Sequence, residues 1–347
     1  MQITTEHGEL KKAIAPVIIS ASRATDIPAF HSEWLINRLK RGYVCWVNPF
    51  NLTNAQTISF SNLRLFVFWT KNPKPLIRHL TFLDELGLNY YFQYTLNDYE
   101  KEGFEPNVPP LENRIATFIQ LSELIGKEKV IWRFDPLLLT DQLTVRELLK
   151  RIWKLGNQLV SYTDKMVFSF ADILAYRKVQ SNLIKETTFY NKTTISLAEF
   201  SLAQKNEFAA GIQLILQEWR KINPDFQIAT CAEDIDLEQY QIQHNKCIDD
   251  ELIAKLFSND SKLMDLLGLK PEEPSLLGEA VQTKKPNLKD KGQRKACGCM
   301  ISKDIGSYNT CNHLCAYCYA NTSPEVVRKN LVELTPDSES ILPMSEG

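Results

Sequence analysis

Short apolar runs alternate with helix-period segments along this chain, and that alternation is the strongest constraint on its fold. Val17–Ser22, Tyr43–Val47, Leu63–Trp69, Tyr90–Leu96, Val130–Phe134, Met166–Phe170 and Phe226–Cys231 read as strands. Between them, Leu111, Ile115, Phe118, Leu121 and Ile125 recur at spacings of three and four and are followed by Gly126 as a cap. Val145, Leu148, Ile152 and Leu155 repeat the pattern, and helices are also expected over His31–Lys40 and Ala198–Trp219. Regular alternation of this kind predicts parallel strands covered by helices. The expected α/β fold is a full or partial TIM-like (β/α) barrel, with an open doubly wound sheet as the alternative. Most strands end directly in polar residues: Ser22-Arg23, Thr70-Lys71, Thr95, Asp135, Asp172 and Glu233. Parallel α/β folds build their sites at that edge.

The composition suits a soluble globular chain: 347 residues, 44% hydrophobic and 24% charged. Forty Lys and Arg against 42 Asp and Glu leave a net charge of −2, so no global basic field announces a nucleic-acid partner. No apolar run approaches the roughly 18 residues of a membrane span. The polar start, Met1 to Lys12, lacks a signal peptide's basic and apolar regions, so a cytoplasmic location and no membrane partner are expected. Thr283 to Lys295 carries Lys284, Lys285, Lys289, Lys291, Arg294 and Lys295 against one acid, Asp290. It reads either as a solvated connector or as a phosphate-binding arm. The tail after Leu334 is rich in Ser, Pro and acids and is expected to be loosely ordered.

Of eight cysteines, five fall between Cys297 and Cys318. A chain with a large core in a reducing compartment does not need disulfides, so clustered thiols point to metal or redox chemistry. Cys311, Cys315 and Cys318 form a C-x3-C-x2-C triad on one irregular loop. Three thiolates at this spacing can hold a cubane iron–sulfur cluster and leave one iron open to a small molecule. Zinc is the alternative, with His313 inside the loop as a fourth ligand. Ser323-Pro324-Glu325 reads as the start of a helix leaving the loop. The other thiols are Cys231, Cys247 and the Cys297-Gly298-Cys299 chelate. Those four are candidates for a second metal site, zinc or another cluster, with inert thiols as the alternative. Cys45, in a strand pattern, reads as a core residue.

Tyr308-Asn309-Thr310-Cys311-Asn312-His313-Leu314-Cys315-Ala316-Tyr317-Cys318-Tyr319-Ala320-Asn321 closely resembles the cluster loop of spore photoproduct lyase and its radical S-adenosylmethionine (SAM) relatives. Phe68-Trp69-Thr70-Lys71-Asn72-Pro73, with Leu76, Arg78 and Leu83-Asp84-Glu85-Leu86, resembles their strand-"TK"-helix unit. Glu105-Pro106, Pro109-Pro110 and Arg114-Ile115 resemble the lead into their next helix. The resemblance covers Leu63–Arg133 and Met300–Leu334. The whole chain also resembles a bacterial family of uncharacterised proteins that pairs an N-terminal SASRxTDIPAF, Ser20 to Phe30 here, with C-terminal cysteines.

The resemblance implies a [4Fe-4S] cluster on Cys311, Cys315 and Cys318, reductive cleavage of SAM to a 5′-deoxyadenosyl radical, and an electron donor such as flavodoxin or ferredoxin. It also implies a lyase-type reaction on an unknown substrate, with Lys71 directed toward SAM. In those relatives the triad follows the first barrel strand. Here it lies near the C-terminus, so a shared fold implies circular permutation, with Met300–Ile305 as the first strand and Pro324–Leu334 as the first helix. Gln93, Thr95, Arg133 and Asp135 are further cofactor-binding candidates; the Arg133–Asp135 pair either holds a carboxylate or braces the barrel. Ser20, Ser22, Arg23 and Asp26 cluster at the first strand's end as substrate candidates, and a helix N-cap also accounts for Asp26. Glu233 and Asp236, near Cys231, are weaker candidates. The expected organisation is a body over 15–245, a connector over 246–296, a completing segment over 297–334 and a tail over 335–347. The competing functions are a non-catalytic iron–sulfur or zinc protein, for electron transfer or scaffolding, and a nucleic-acid-binding or repair protein using the basic run.

Overall fold

Eight parallel strands in a single ordered series form the frame that carries the site. The computed structural model describes residues 1–48, 51–269 and 286–343. Its strands are β1 (Gln2–Thr4), β2 (Leu10–Ile14), β3 (Ile18–Ala21), β4 (Tyr43–Asn48), β5 (Asn51–Ser59), β6 (Leu65–Thr70), β7 (Asn89–Thr95), β8 (Val130–Leu137), β9 (Lys165–Phe170), β10 (Gln227–Thr230), β11 (Ile242–His244) and β12 (Lys303–Asp304). The main sheet runs β11-β10-β9-β8-β7-β6-β3-β12. Every adjacent pair in it is parallel.

That order corrects the doubly wound alternative. A doubly wound sheet reverses at a switch point; here the series from β3 to β11 never turns back. A fully closed barrel is not observed either. Among the described residues β11 and β12 are unpaired edges, and β12 is only two residues long. The gap between the edges is crossed by other chain: Met300 N donates to Ile248 O at 3.1 Å.

Strand alternation divides the apolar side chains between two cores. Phe66, Phe68, Phe92, Trp132 and Phe168 pack on one face, beneath the helices Leu111–Ile125, Val145–Leu159 and Leu202–Trp219. The first two of these match their periodic patterns, and Gly126 follows Ile125 at φ 96°, a conformation that suits glycine. The third starts at Leu202, where Ser201 and Gln204 form a capping box. Ile18, Leu65, Val67, Tyr91, Ile131 and Val167 face the other way. There they meet Ile253, Leu263 and Met264 from the helices Asp250–Leu256 and Ser261–Leu266. The two helices from the segment expected as a connector therefore cover the second face of the sheet.

Two further expectations need correction. Tyr43–Val47 is a strand, but β4 pairs antiparallel with β5 in a separate sheet ordered β1-β2-β5-β4. The two residues between the ends of β4 and β5 are too few for the crossover that a parallel neighbour would require. The tail is not loose over its described part. Trp34 Nε1 donates to Ser338 O at 2.7 Å, Cys45 N donates to Glu339 O at 2.8 Å, and Ile341 is buried. Cys45 is a buried residue of β4, as its strand pattern indicated. No described helix is long and apolar enough to cross a membrane.

Candidate functional site

A cavity of about 710 Å³ opens at the C-terminal ends of the main strands. Ser22 and Arg23 follow β3, Lys71 follows β6, Thr95 ends β7, Asp135 lies in β8 and Ser169 in β9, and all border the cavity. Its volume lies in the range of small-molecule sites, roughly 300–1,000 Å³. Cys311, Cys315 and Cys318 line it, and so do Cys231, Cys247, Cys297 and Cys299. Seven of the eight thiols thus share one space.

The triad loop is held from below. Asp26 Oδ1 accepts from Ala29 N at 2.9 Å, the capping role open to it from sequence. Its Oδ2 accepts from Lys71 N at 2.6 Å and meets His313 Nε2 at 2.8 Å. His313 Nδ1 lies 3.3 Å from Asn107 O, so both ring nitrogens face acceptors. His313 is buried and borders the cavity. Asp304, in β12, accepts from Ser20 Oγ at 2.8 Å, Arg23 N at 2.9 Å and Gly306 N at 2.8 Å. Trp46 of the small sheet donates to Gly306 O at 2.9 Å.

Gly306 has no room for a side chain. A Cβ there would lie 2.0 Å from Ser22 Oγ and 2.5 Å from Ser22 Cβ. Gly306→Ala is expected to cost about 1–3 kcal/mol through overpacking and to shift the loop that follows. Urea denaturation checks the cost. Unchanged stability together with unchanged metal content would count against this packing argument.

Lys71, Glu105 and Tyr317 form a buried polar group beside the triad. Lys71 Nζ donates to Glu105 Oε1 at 2.8 Å and to Tyr317 Oη at 2.9 Å, and the Tyr317 hydroxyl also bonds Glu105. Asn97 Nδ2 donates to Glu105 Oε1 at 2.9 Å, and Arg114 Nη1 lies 3.6 Å from Oε2. Burial works against charge on both partners, yet their mutual attraction wins. Glu105 sits below the ordinary carboxylate range under Lys71 and Arg114, and Lys71 sits above the ordinary lysine value under Glu105 and Cys315.

Glu105→Gln leaves Lys71 without its carboxylate and is expected to destabilise by about 3–5 kcal/mol, the cost of breaking a buried pair. Because the folded pKa is depressed, Glu105 contributes fully above its ordinary value of 4.5 and loses that contribution as pH falls through the lower folded value. Urea melts of both proteins should therefore converge on acidification. A gap independent of pH would contradict the assignment.

Opposing effects act on the triad thiols. Burial raises all three, Cys311 to about 12. Against that, backbone amides of His313 and Asp26 favour the Cys311 thiolate, and those of Ala320 and Asn321 favour that of Cys318. Among the described residues no three cysteine sulfurs lie mutually within 4.8 Å. Tetrahedral zinc with bonds of about 2.3 Å needs sulfurs about 3.8 Å apart, closer together than any three cysteine sulfurs lie among the described residues.

Arg133 is fully engaged. Its Nε donates to Asp135 Oδ2 at 3.0 Å and its Nη1 to Gln93 Oε1 at 3.0 Å and Cys247 Sγ at 3.1 Å. Ser169 Oγ bonds the other Asp135 oxygen. The pair joins neighbouring strand ends and also borders the cavity. Gln93 is buried, donates to Cys247 O at 3.0 Å and lies behind the cavity wall. Arg23 stacks 4.9 Å from the Trp69 ring centroid, and its Nη2 is buried with no hydrogen-bond partner. Glu233 accepts from Phe170 N at 2.9 Å, and Asp236 is exposed; neither borders the cavity.

Glu105, Asn97, Asp304 and Trp46 were not assigned to the site from sequence. They reach it from loops, from the second sheet or, for Asp304, from the two-residue edge strand β12, and no local spacing marks that approach. In the basic run, Arg294 Nη1 donates to Asp172 at 2.9 Å and Lys289 Nζ donates to Lys295 O at 2.9 Å. Arg294 borders the cavity. Lys284 and Lys285 lie outside the described residues.

The family described as a domain of unknown function (DUF1848) matches residues 18–320. No curated protein and no solved structure matches the chain.

Proposed function

The chain belongs to the DUF1848 family, and from that premise we propose a radical SAM-type iron–sulfur enzyme acting on a substrate of unknown class. One observation carries the reading: Cys311, Cys315 and Cys318 border a cavity at the C-terminal edge of a parallel sheet, beside Lys71 and Tyr317. In this reading the sheet is a partial barrel whose first strand has moved to the end of the chain. Placing β12 before β3 makes the strand order run with the sequence throughout. The triad loop then follows the first strand, and the helix Pro324–Leu331 follows the loop.

The three thiolates would hold a [4Fe-4S] cluster with one iron free for the amino and carboxylate groups of SAM. When bound and reduced, the cluster supplies the electron that cleaves the SAM sulfonium to a 5′-deoxyadenosyl radical. The chain's own task is to bind, orient and exclude water. Lys71 places a buried cation near Cys315 and offsets the negative charge of the ligand set. Glu105 fixes that lysine and the Tyr317 hydroxyl. Arg23 Nη2 offers an unused donor to an anionic group of SAM or substrate. Thr95 and Ser169 add hydroxyls at the cavity wall, and Arg133–Asp135 keeps that wall rigid. A flavodoxin or ferredoxin would deliver the electron.

Anaerobic iron and sulfide analysis, with electron paramagnetic resonance after reduction, tests the reading. The expected result is a reduced-cluster signal that changes when SAM is added. A chain that takes up only zinc under iron-replete anaerobic conditions would sink it.

A further inference from the structure

We propose that Cys231, Cys247, Cys297 and Cys299 form a second, all-cysteine metal centre, a zinc ion or an iron–sulfur cluster, that links the two edges of the main sheet. This inference goes beyond the proposed enzyme activity and stands or falls separately from it.

The topology brings the four together from distant parts of the chain. Cys231 follows β10, Cys247 lies just beyond β11, and Cys297-Gly298-Cys299 comes just before β12. β11 and β12 are the two opposite edges of the sheet, with β10 next to β11. Yet Cys231 Sγ lies 3.5 Å from Cys247 Sγ, and Cys299 Sγ accepts from Cys247 N at 3.2 Å. Cys297 and Cys299 also interact through their side chains. Gly298 lies against the residue before Cys247: a Cβ there would sit 3.1 Å from Lys246 Cγ.

Cys247, Cys297 and Cys299 sit in the apolar core of this face and Cys231 packs against it, but Cys247 also has polar partners that an inert buried thiol lacks. Arg133 Nη1 donates to Cys247 Sγ at 3.1 Å and Asn245 Nδ2 donates to it at 3.3 Å. N–H donors aimed at sulfur favour the thiolate, the form that binds metal. The Arg133 guanidinium also offsets part of the negative charge that four thiolates around a metal would carry. Binding of zinc, or acceptance of a preformed cluster by ligand exchange, would replace the thiol protons and requires no oxidant or reductant. The sulfurs form a string in which no three are mutually within 4.8 Å, so closure on metal needs a small convergence of the two loops.

The test begins from the full chain carrying Cys311→Ala, Cys315→Ala and Cys318→Ala, prepared anaerobically. Iron, zinc and acid-labile sulfide are then measured per chain. The expected result is either about one zinc without visible absorbance, or iron with matching sulfide and a broad band at about 400 nm. Adding Cys247→Ser and Cys299→Ser should remove that metal. A folded triad variant that binds neither metal overturns the proposal, as does full retention after Cys247 and Cys299 are replaced. Because multiple variants can fail to fold, the unmutated chain supplies a second arm. Mass spectrometry after alkylation should show these four thiols protected until a chelator is added. Equal labelling with and without the chelator would overturn the proposal.

Discussion

Replacing Cys311, Cys315 and Cys318 together by Ala should remove about four irons per chain and abolish SAM cleavage, while the main sheet stays folded. The three thiols border the cavity, and their loop is anchored by groups outside the triad, His313 on Asp26 and Gly306 on Asp304. Losing the sulfurs therefore removes ligands without removing the loop's supports. Circular dichroism and thermal melting check the fold, and iron and sulfide content reads the cluster. Iron at the unmutated level, with thiols elsewhere also replaced, would show that the triad is not the ligand set.

Ending the chain after Ala296 should leave it insoluble or molten. The truncation removes β12 and exposes the β3 edge, Ile18–Ala21, with its backbone donors and acceptors unpaired. It also removes Ile305, Val327 and Ile341, each 2% exposed or less. At about 1.5–3 kcal/mol per buried side chain, those three account for roughly 5–9 kcal/mol. Net domain stability is itself only about 5–15 kcal/mol. Loss of the hydrogen bonds from Trp34 to Ser338 and from Cys45 to Glu339 adds to the effect. A soluble truncation with a cooperative melt would mean that the C-terminal segment is an appendage.

The frame was legible because periodicity reports burial. Phe66 and Phe68 alternate with Leu65 and Val67 across one strand, and Leu148, Ile152 and Leu155 repeat along one helix. Pairing partners were not legible in the same way. Tyr43–Val47 has the pattern of a buried strand whichever sheet receives it, and only the β5 partner sends it to the smaller one. The edge strands β11 and β12, of three and two residues, carry too few side chains for any period. The tail looked polar, yet Ser338 and Glu339 dock through backbone groups, which sequence patterns do not encode.

The site divides along the same line. The triad spacing and Lys71 are local signals, and the structure brings them to one cavity. Cys231 and Cys247 could be paired with Cys297 and Cys299 only as leftover thiols; the chain that crosses between the two sheet edges is what draws them together. Glu105 stood in a stretch that resembled a helix lead-in. Its role emerges only when Lys71, Tyr317 and Arg114 surround it. Asp26 satisfied a capping pattern, and that sufficient local explanation concealed its second bond to His313.

The most direct measurement is product analysis after anaerobic reduction of the full chain with SAM. The account predicts 5′-deoxyadenosine and methionine in equal amounts from the unmutated protein, and neither from the triad variant. A reduced, cluster-loaded chain that leaves SAM intact, or equal product from both proteins, would contradict it.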